Sequence, residues 1–122
     1  MDITRLEKAD RYSDAVIYNG VVYLSGAVGR ESADTESQTR EALAEIDRVL
    51  ALAGTDKSRI LSATVWLTDI ADYDAMNRAW DAWVDKQNPP ARATGQVPLA
   101  RKKYRVEITV SAAVPAHPPA PG

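Results

Sequence analysis

The sequence predicts an α+β protein: a mixed β-sheet with two helices on one face, in the order β-β-β-α-β-α-β-β. Three observations predict it. Two β-rich runs flank the dipeptide Asn19-Gly20 in "AVIYNGVVYLSGAV". Two later segments repeat apolar residues at helical spacing. Two others, "RILSATVWLT" and "RVEITVSAA", alternate apolar and polar residues as a half-buried strand does. The 122 residues suit one core. Residues 1–114 therefore read as a single domain. The rest, "PAHPPAPG" at 115–122, is a proline-rich tail that cannot build a core and is expected to be mobile.

The elements follow in order. "ITRLE" is a short first strand. Asn19-Gly20 suits a two-residue hairpin turn because both residues tolerate positive φ, which places strands at about 14–18 and 21–27. Ser25-Gly26 ends the second of them, and the glycine lets a ligand or another chain approach the backbone. "GRESADTESQTREALAEIDRVLALAG" is a loop and then a helix. Thr35 followed by Gln38 fits a capping box. Leu43, Ile46, Leu50 and Ala53 recur at helical spacing beside Ala42 and Val49, and Gly54 is a suitable stop. Arg40, Glu41, Glu45 and Arg48 form a solvated face.

"RILSATVWLT" puts Leu61, Ala63, Val65 and Leu67 on one face and Ser62, Thr64, Trp66 and Thr68 on the other. "DYDAMNRAWDAWVDK" is the second helix, with Asp72 as cap and Tyr73, Met76, Trp80 and Trp83 as its apolar stripe. Two strands end the domain and read as a hairpin across "PLARKK". Val106, Ile108, Val110 and Ala112 face the helices; Arg105, Glu107, Thr109 and Ser111 face away. Arg92, Thr94 and Gln96 share a face of the preceding strand. A hairpin makes Arg92 a diagonal neighbour of Glu107, although a slip of one residue would flip a strand.

Two meanings are open for that pair. A solvated cross-strand ion pair is worth under about 1 kcal/mol. Trp66 and the threonines on the uncovered face suit a subunit interface instead, and copies packed there would enclose Arg92 and Glu107 in clefts.

Composition excludes several function classes. The net charge of -2 and a sequence pI near 5.3 disfavour a nucleic-acid binder. The chain has no cysteine, which rules out disulfides, thiolate catalysis and Cys-ligated metals. Its one histidine, His117, lies in the tail, so no His-based triad or two-His metal site forms within a chain. No run reaches the length of a membrane span, and "MDITRLEKAD" lacks the apolar core of a signal peptide, so the expected location is the cytoplasm.

With Tyr12, "YLSG" at 23–26, "DYDAMN" at 72–77, "PAR" at 90–92 and "VEI" at 106–108, the chain resembles the RidA/YjgF family of reactive-intermediate deaminases over nearly its whole length, in a divergent bacterial branch. The resemblance implies a chorismate-mutase-like fold and a homotrimer with a site in each of three clefts between subunits. It implies hydrolysis of 2-enamines and 2-imines, such as 2-aminoacrylate, to 2-oxo acids and ammonia, with no cofactor and no metal. By the same resemblance Arg92 binds the substrate carboxylate and Glu107 holds and activates water. Tyr12 lines the pocket, Ser25 and Gly26 frame it, and Asn77 stands near it, although Asn77 equally fits the border of the helix stripe. Thr94 takes the place of the cysteine of the archetypal deaminases and offers a hydroxyl or backbone donor. Asp10-Arg11-Tyr12 replaces the usual Gly-Pro-Tyr, and residues 95–103 also diverge. The other readings are a non-catalytic module that binds a small carboxylate such as a 2-oxo acid, a pathway-specific deaminase, and RNA cleavage. The acidic balance opposes the last, since "RKK" at 101–103 is only a short turn patch.

Overall fold

Six strands form one sheet in the order β1-β2-β3-β6-β4-β5 in the computed structural model, which describes residues 2–115. The strands are β1 Thr4–Lys8, β2 Ser13–Tyr18, β3 Val21–Leu24, β4 Ile60–Leu67, β5 Ala91–Gln96 and β6 Val106–Ala113. The helices are α1 Thr35–Leu52 and α2 Tyr73–Trp83. The α+β class, the mixed sheet and the element order are as the sequence predicts. Ala116 to Gly122, with His117 and most of the expected tail, lies outside the described residues.

The β2–β3 hairpin closes on Asn19 and Gly20, at φ 54° and 78°, the two positive values that a tight hairpin turn needs. β3 ends at Leu24, short of the expected 27, and Ala27 then makes a separate bridge to Ile108. β6 lies between β3 and β4 and is antiparallel to both. β3 and β4 therefore run parallel to each other, and α1 is the crossover that such a pair requires. β5 pairs with β4 in parallel, with α2 as its crossover.

This topology corrects the expected β5–β6 hairpin. Val97 to Arg105 is too long a connection for a tight turn, and it carries the chain from the sheet edge back to its centre. Glu107 lies opposite Trp66, and Arg92 is level with Ala63, so the two are not cross-strand neighbours. Nor do they share a face. Parallel partners point the same way, and Ala63, Val65 and Leu67 are buried against the helices, so Arg92, Thr94 and Gln96 also point to the helix side.

The core lies between sheet and helices. Leu43, Ile46 and Leu50 of α1 and Met76 and Trp80 of α2 pack on Val65, Leu67, Val106 and Ile108. Val106, Ile108, Val110 and Ala112 are buried as predicted. Leu61 is not: a register shift between Ile60 and Ser62 moves it off the core face, and half of it is exposed (50%). Ile60 takes the buried place instead. Tyr73 is the other exposed member of a predicted apolar stripe.

The capping expectations also change. Asp34, not Thr35, caps α1, its carboxylate accepting from the Ser37 N–H at 2.9 Å. Thr35 is buried in the first turn and donates its hydroxyl to the Asp72 carboxylate at 2.7 Å, joining the starts of the two helices. Asp72 stands at the cap position of α2 without a side-chain cap bond. Gln38 is buried; its amide donates to the carbonyls of Ser32 and Lys103 and accepts from the Arg105 N–H at 2.8 Å. It thereby ties the loop before α1 to the strand that fills the sheet centre.

Replacing Gln38 with leucine keeps the bulk but leaves those three backbone groups unpaired. The variant is expected to lose about 2–4 kcal/mol in urea unfolding, with the larger loss if water cannot reach the orphaned groups.

Candidate functional site

The predicted site residues fall into two groups on opposite faces of the sheet. Arg92 is held against α2. Its Nη1 donates to Asn77 Oδ1 at 2.8 Å and approaches Met76 Sδ at 3.8 Å, while Nη2 donates to Tyr73 Oη at 3.3 Å. The guanidinium carbon lies 5.0 Å from the Trp80 ring centre and 5.9 Å from that of Tyr73. Every one of these partners is uncharged. Among the described residues no carboxylate pairs with Arg92, whereas Arg40, Arg48 and Arg78 each reach at least one. A guanidinium has five N–H donors. Two are spent on Asn77 and Tyr73 and a third faces sulfur, which leaves two for an incoming anion. Thr94 sits two residues along the same face, its Oγ1 enclosed and without a hydrogen-bond partner among the described residues.

Tyr73, Asn77 and Trp80 recur at four and three residues, one face of a helix turn after turn. The sequence reading placed Tyr73 and Trp80 in an apolar stripe and missed their contact with Arg92. The signal was present: a polar Asn77 inside an aromatic stripe asks for a polar neighbour.

The second group surrounds Glu107 on the open face. This face carries the cross-strand pairs Ser62–Ser111, Thr64–Thr109 and Trp66–Glu107. The two serine hydroxyls meet at 2.8 Å. The Glu107 carboxylate lies over Gly26, where a methyl group would meet Oε2 at 2.5 Å, so only glycine leaves it that room. Ser25 is fixed beside it, its hydroxyl donating to the Ser13 carbonyl at 2.6 Å. Among the described residues no side chain is hydrogen-bonded to Glu107. Trp66 leans away, its ring 3.1 Å from where a methyl on Gly95 would stand. By strand geometry the α-carbons of Arg92 and Glu107 are separated by roughly 10 Å across the sheet and roughly 10 Å along it.

A cleft of 260 Å³ opens between α1 and the ends of β2 and β3. Tyr12, Ser25 and Gly26 line it together with Asp14, Arg30, Glu41 and Glu45, but Arg92 and Glu107 do not. The predicted pocket residues thus meet Glu107 through Gly26, while Arg92, Asn77 and Thr94 stand apart.

The cleft rim is not the plain solvated face expected of α1. Glu41 accepts from the Ser32 hydroxyl and from the N–H groups of Glu31 and Ser32, which lower its pKa. Arg48 bonds Glu7 at 3.0 Å and Glu45 at 2.8 Å, and reaches Asp14 at 3.3 Å. Glu7 and Asp14 face each other across β1 and β2, like charges on adjacent strands. The Arg48 guanidinium, with help from Asp14, holds Glu7 down to about 2, and Glu7 in turn pushes Asp14 up. Glu7 also has a φ of 51°, a left-handed backbone that a non-glycine residue rarely adopts.

The family model described as Endoribonuclease L-PSP matches residues 2–114. A RutC family protein of Haemophilus ducreyi is 50% identical over 113 residues, covering 92% of this chain and 97% of that one. The 2-iminobutanoate/2-iminopropanoate deaminase of Homo sapiens is 33% identical over 104 residues, covering 80% of this chain and 75% of that one. Among solved structures, a YjgF-family protein of Neisseria meningitidis superimposes with a TM-score of 0.94 at 44% identity, covering 96% of this chain and 98% of that one.

The carboxylate pair at the rim makes stability depend on pH in two opposed ways. Glu7, lowered, contributes stability above its unfolded value of 4.5 that is lost as pH falls towards about 2. Asp14, raised above 3.8, contributes stability at low pH that is lost as pH rises through its folded pKa. Asp14→Asn removes the second charge and can donate to Glu7. It is expected to raise the thermal midpoint by a few degrees at pH 7, with the gain shrinking below pH 4 in melts across the range.

Proposed function

The chain belongs to the Endoribonuclease L-PSP (YjgF/RidA) family, and from that membership we propose that it is a deaminase, hydrolysing reactive 2-enamines and 2-imines such as 2-aminoacrylate to 2-oxo acids and ammonia. The observation that carries the proposal is Arg92, a guanidinium held only by neutral side chains with two donors in hand. A planar carboxylate is the anion those donors fit, and a bidentate pair fixes its orientation as well as its charge. The substrate class follows the name of the human relative.

The reaction asks little beyond orientation. The enamine takes a proton on carbon and gives one up from nitrogen, which makes it an imine, and protonation of that nitrogen makes its carbon electrophilic. Water adds to the imine carbon, its proton passing to Glu107 while the C=N electron pair moves onto nitrogen. Nitrogen is protonated again, the C–N bond breaks as the hydroxyl oxygen closes the C=O bond, and ammonia leaves. The hydroxyl proton goes to solvent. None of these steps calls for a metal or an organic cofactor.

The site lies between subunits of a homotrimer, with Arg92 from one and Glu107 from the next. Two features support this. The two residues stand on opposite faces of one sheet, and the open face around Glu107 exposes Trp66 and Tyr23. A binding module for small carboxylates is the second reading, favoured by the fact that one chain alone completes the surroundings of Arg92. RNA is a poorer fit to a chain of net charge -2.

The test is the rate of 2-oxo acid formation from imines released by an amino-acid oxidase, with semicarbazide competing. Wild type should accelerate it. Arg92→Ala should cost at least about 100-fold in kcat/KM, and Glu107→Gln between about 100- and 10,000-fold. Gly26→Ala should follow Glu107→Gln, because it displaces the same carboxylate. Tight binding of 2-oxo acids without turnover would favour the binding module. Refolding Arg92→Ala and Glu107→Gln chains together should return about a quarter of wild-type activity if each site draws on two subunits of a closed ring. No recovery would place both residues in one subunit's site.

A further inference from the structure

Tyr73 is the one partner of Arg92 that faces solvent. Trp80 is buried and Asn77 half-buried, whereas Tyr73 is 41% exposed at the first residue of α2. Its oxygen accepts from Arg92 Nη2 at 3.3 Å, so its own proton is directed elsewhere. Among the described residues nothing accepts that proton. Asp74, the next residue, lies on a different face of the helix, and Asp72 is engaged by Thr35. An anion approaching the two remaining guanidinium donors from solvent therefore meets the Tyr73 hydroxyl beside them.

We propose that Tyr73 is a second carboxylate-binding residue, its hydroxyl donating to one oxygen of the anion that Arg92 clamps. The inference rests on the proposed role of Arg92 and sharpens it: the receptor has three donors, two N–H and one O–H. All of them require an acceptor, and a carboxylate offers acceptors at both oxygens. A carboxamide presents its own donors to one side of the site, so the receptor selects free 2-imino and 2-oxo acids over their amides. The uncharged hydroxyl does this without neutralising the guanidinium, which an aspartate or glutamate in the same place would do.

Calorimetric titration of the full-length protein separates the possibilities, with 2-oxobutanoate and the neutral 2-oxobutanamide as probes. Wild type, Tyr73→Phe and Arg92→Ala are compared, and thermal midpoints are recorded beside them. Tyr73→Phe keeps the ring over the guanidinium and loses the hydroxyl, and with it the long 3.3 Å bond from Arg92 Nη2. It is expected to weaken the acid about 10-fold, leave the amide and the midpoint unchanged, and raise KM for an imino acid with kcat intact. Acid binding that is unchanged in Tyr73→Phe but lost in Arg92→Ala overturns the role of Tyr73 and leaves the Arg92 clamp standing. So does equal weakening of acid and amide, which marks a structural role only. Wild type that does not bind the acid, or Arg92→Ala that binds it as wild type does, overturns the clamp and this inference together.

Discussion

The pairing of β6 with both β3 and β4 is the constraint on which the rest depends. It places the last strand of the described residues at the centre of the sheet, buried on one face and open on the other. Glu107 acquires its position from this, opposite Trp66 and above Gly26. It also displaces β5 to the edge, where Arg92 can turn towards α2 instead of joining Glu107. Gln38 serves the same constraint, since its amide holds the backbone of Lys103 and Arg105 just before β6 begins.

The two best-held arginines show how surroundings decide what a guanidinium is for. Arg48 is ringed by Glu7, Asp14 and Glu45, so its charge is spent within the chain and no external anion can compete cheaply. Arg92 is ringed by an amide, a phenol, a thioether and an indole face. These groups fix its geometry while leaving its charge uncompensated, an arrangement that costs stability unless something fills it. Arg48 holds strands β1 and β2 to α1, which is architecture. Arg92 ties β5 to α2 through neutral groups alone, which leaves its charge for the anion of the proposed function.

Much of this was legible in the sequence. Asn19-Gly20 announced its turn because a two-residue hairpin allows few alternatives, and the α1 core residues stood out because one long helix face repeats many times. Arg92 and Glu107 both stand out in the sequence as charges within strands. Their relation was misread because strand order is not a local property: alternation reveals a strand's two faces but not its neighbours or which face meets the helices. The length of the segment from Val97 to Arg105 was the available warning. Thr35 was mistaken for the cap because Asp34 beside it is an equally good one, and only backbone geometry separates them. The bulge that exposes Leu61 leaves no trace in an alternating pattern.

A central strand that comes last in the chain also has a meaning for synthesis. Until residues 106–113 have emerged from the ribosome, the sheet exists only as two pieces, β1–β3 and β4–β5, with unpaired edges where β6 will lie. Such edges invite pairing with other chains, and the closure of β3 onto β6 joins segments most of the sequence apart, which slows folding. The nascent chain is therefore most exposed to misassembly in the moments before its final strand appears, and a truncation that removed only that strand would leave two open half-sheets rather than a smaller version of the same protein.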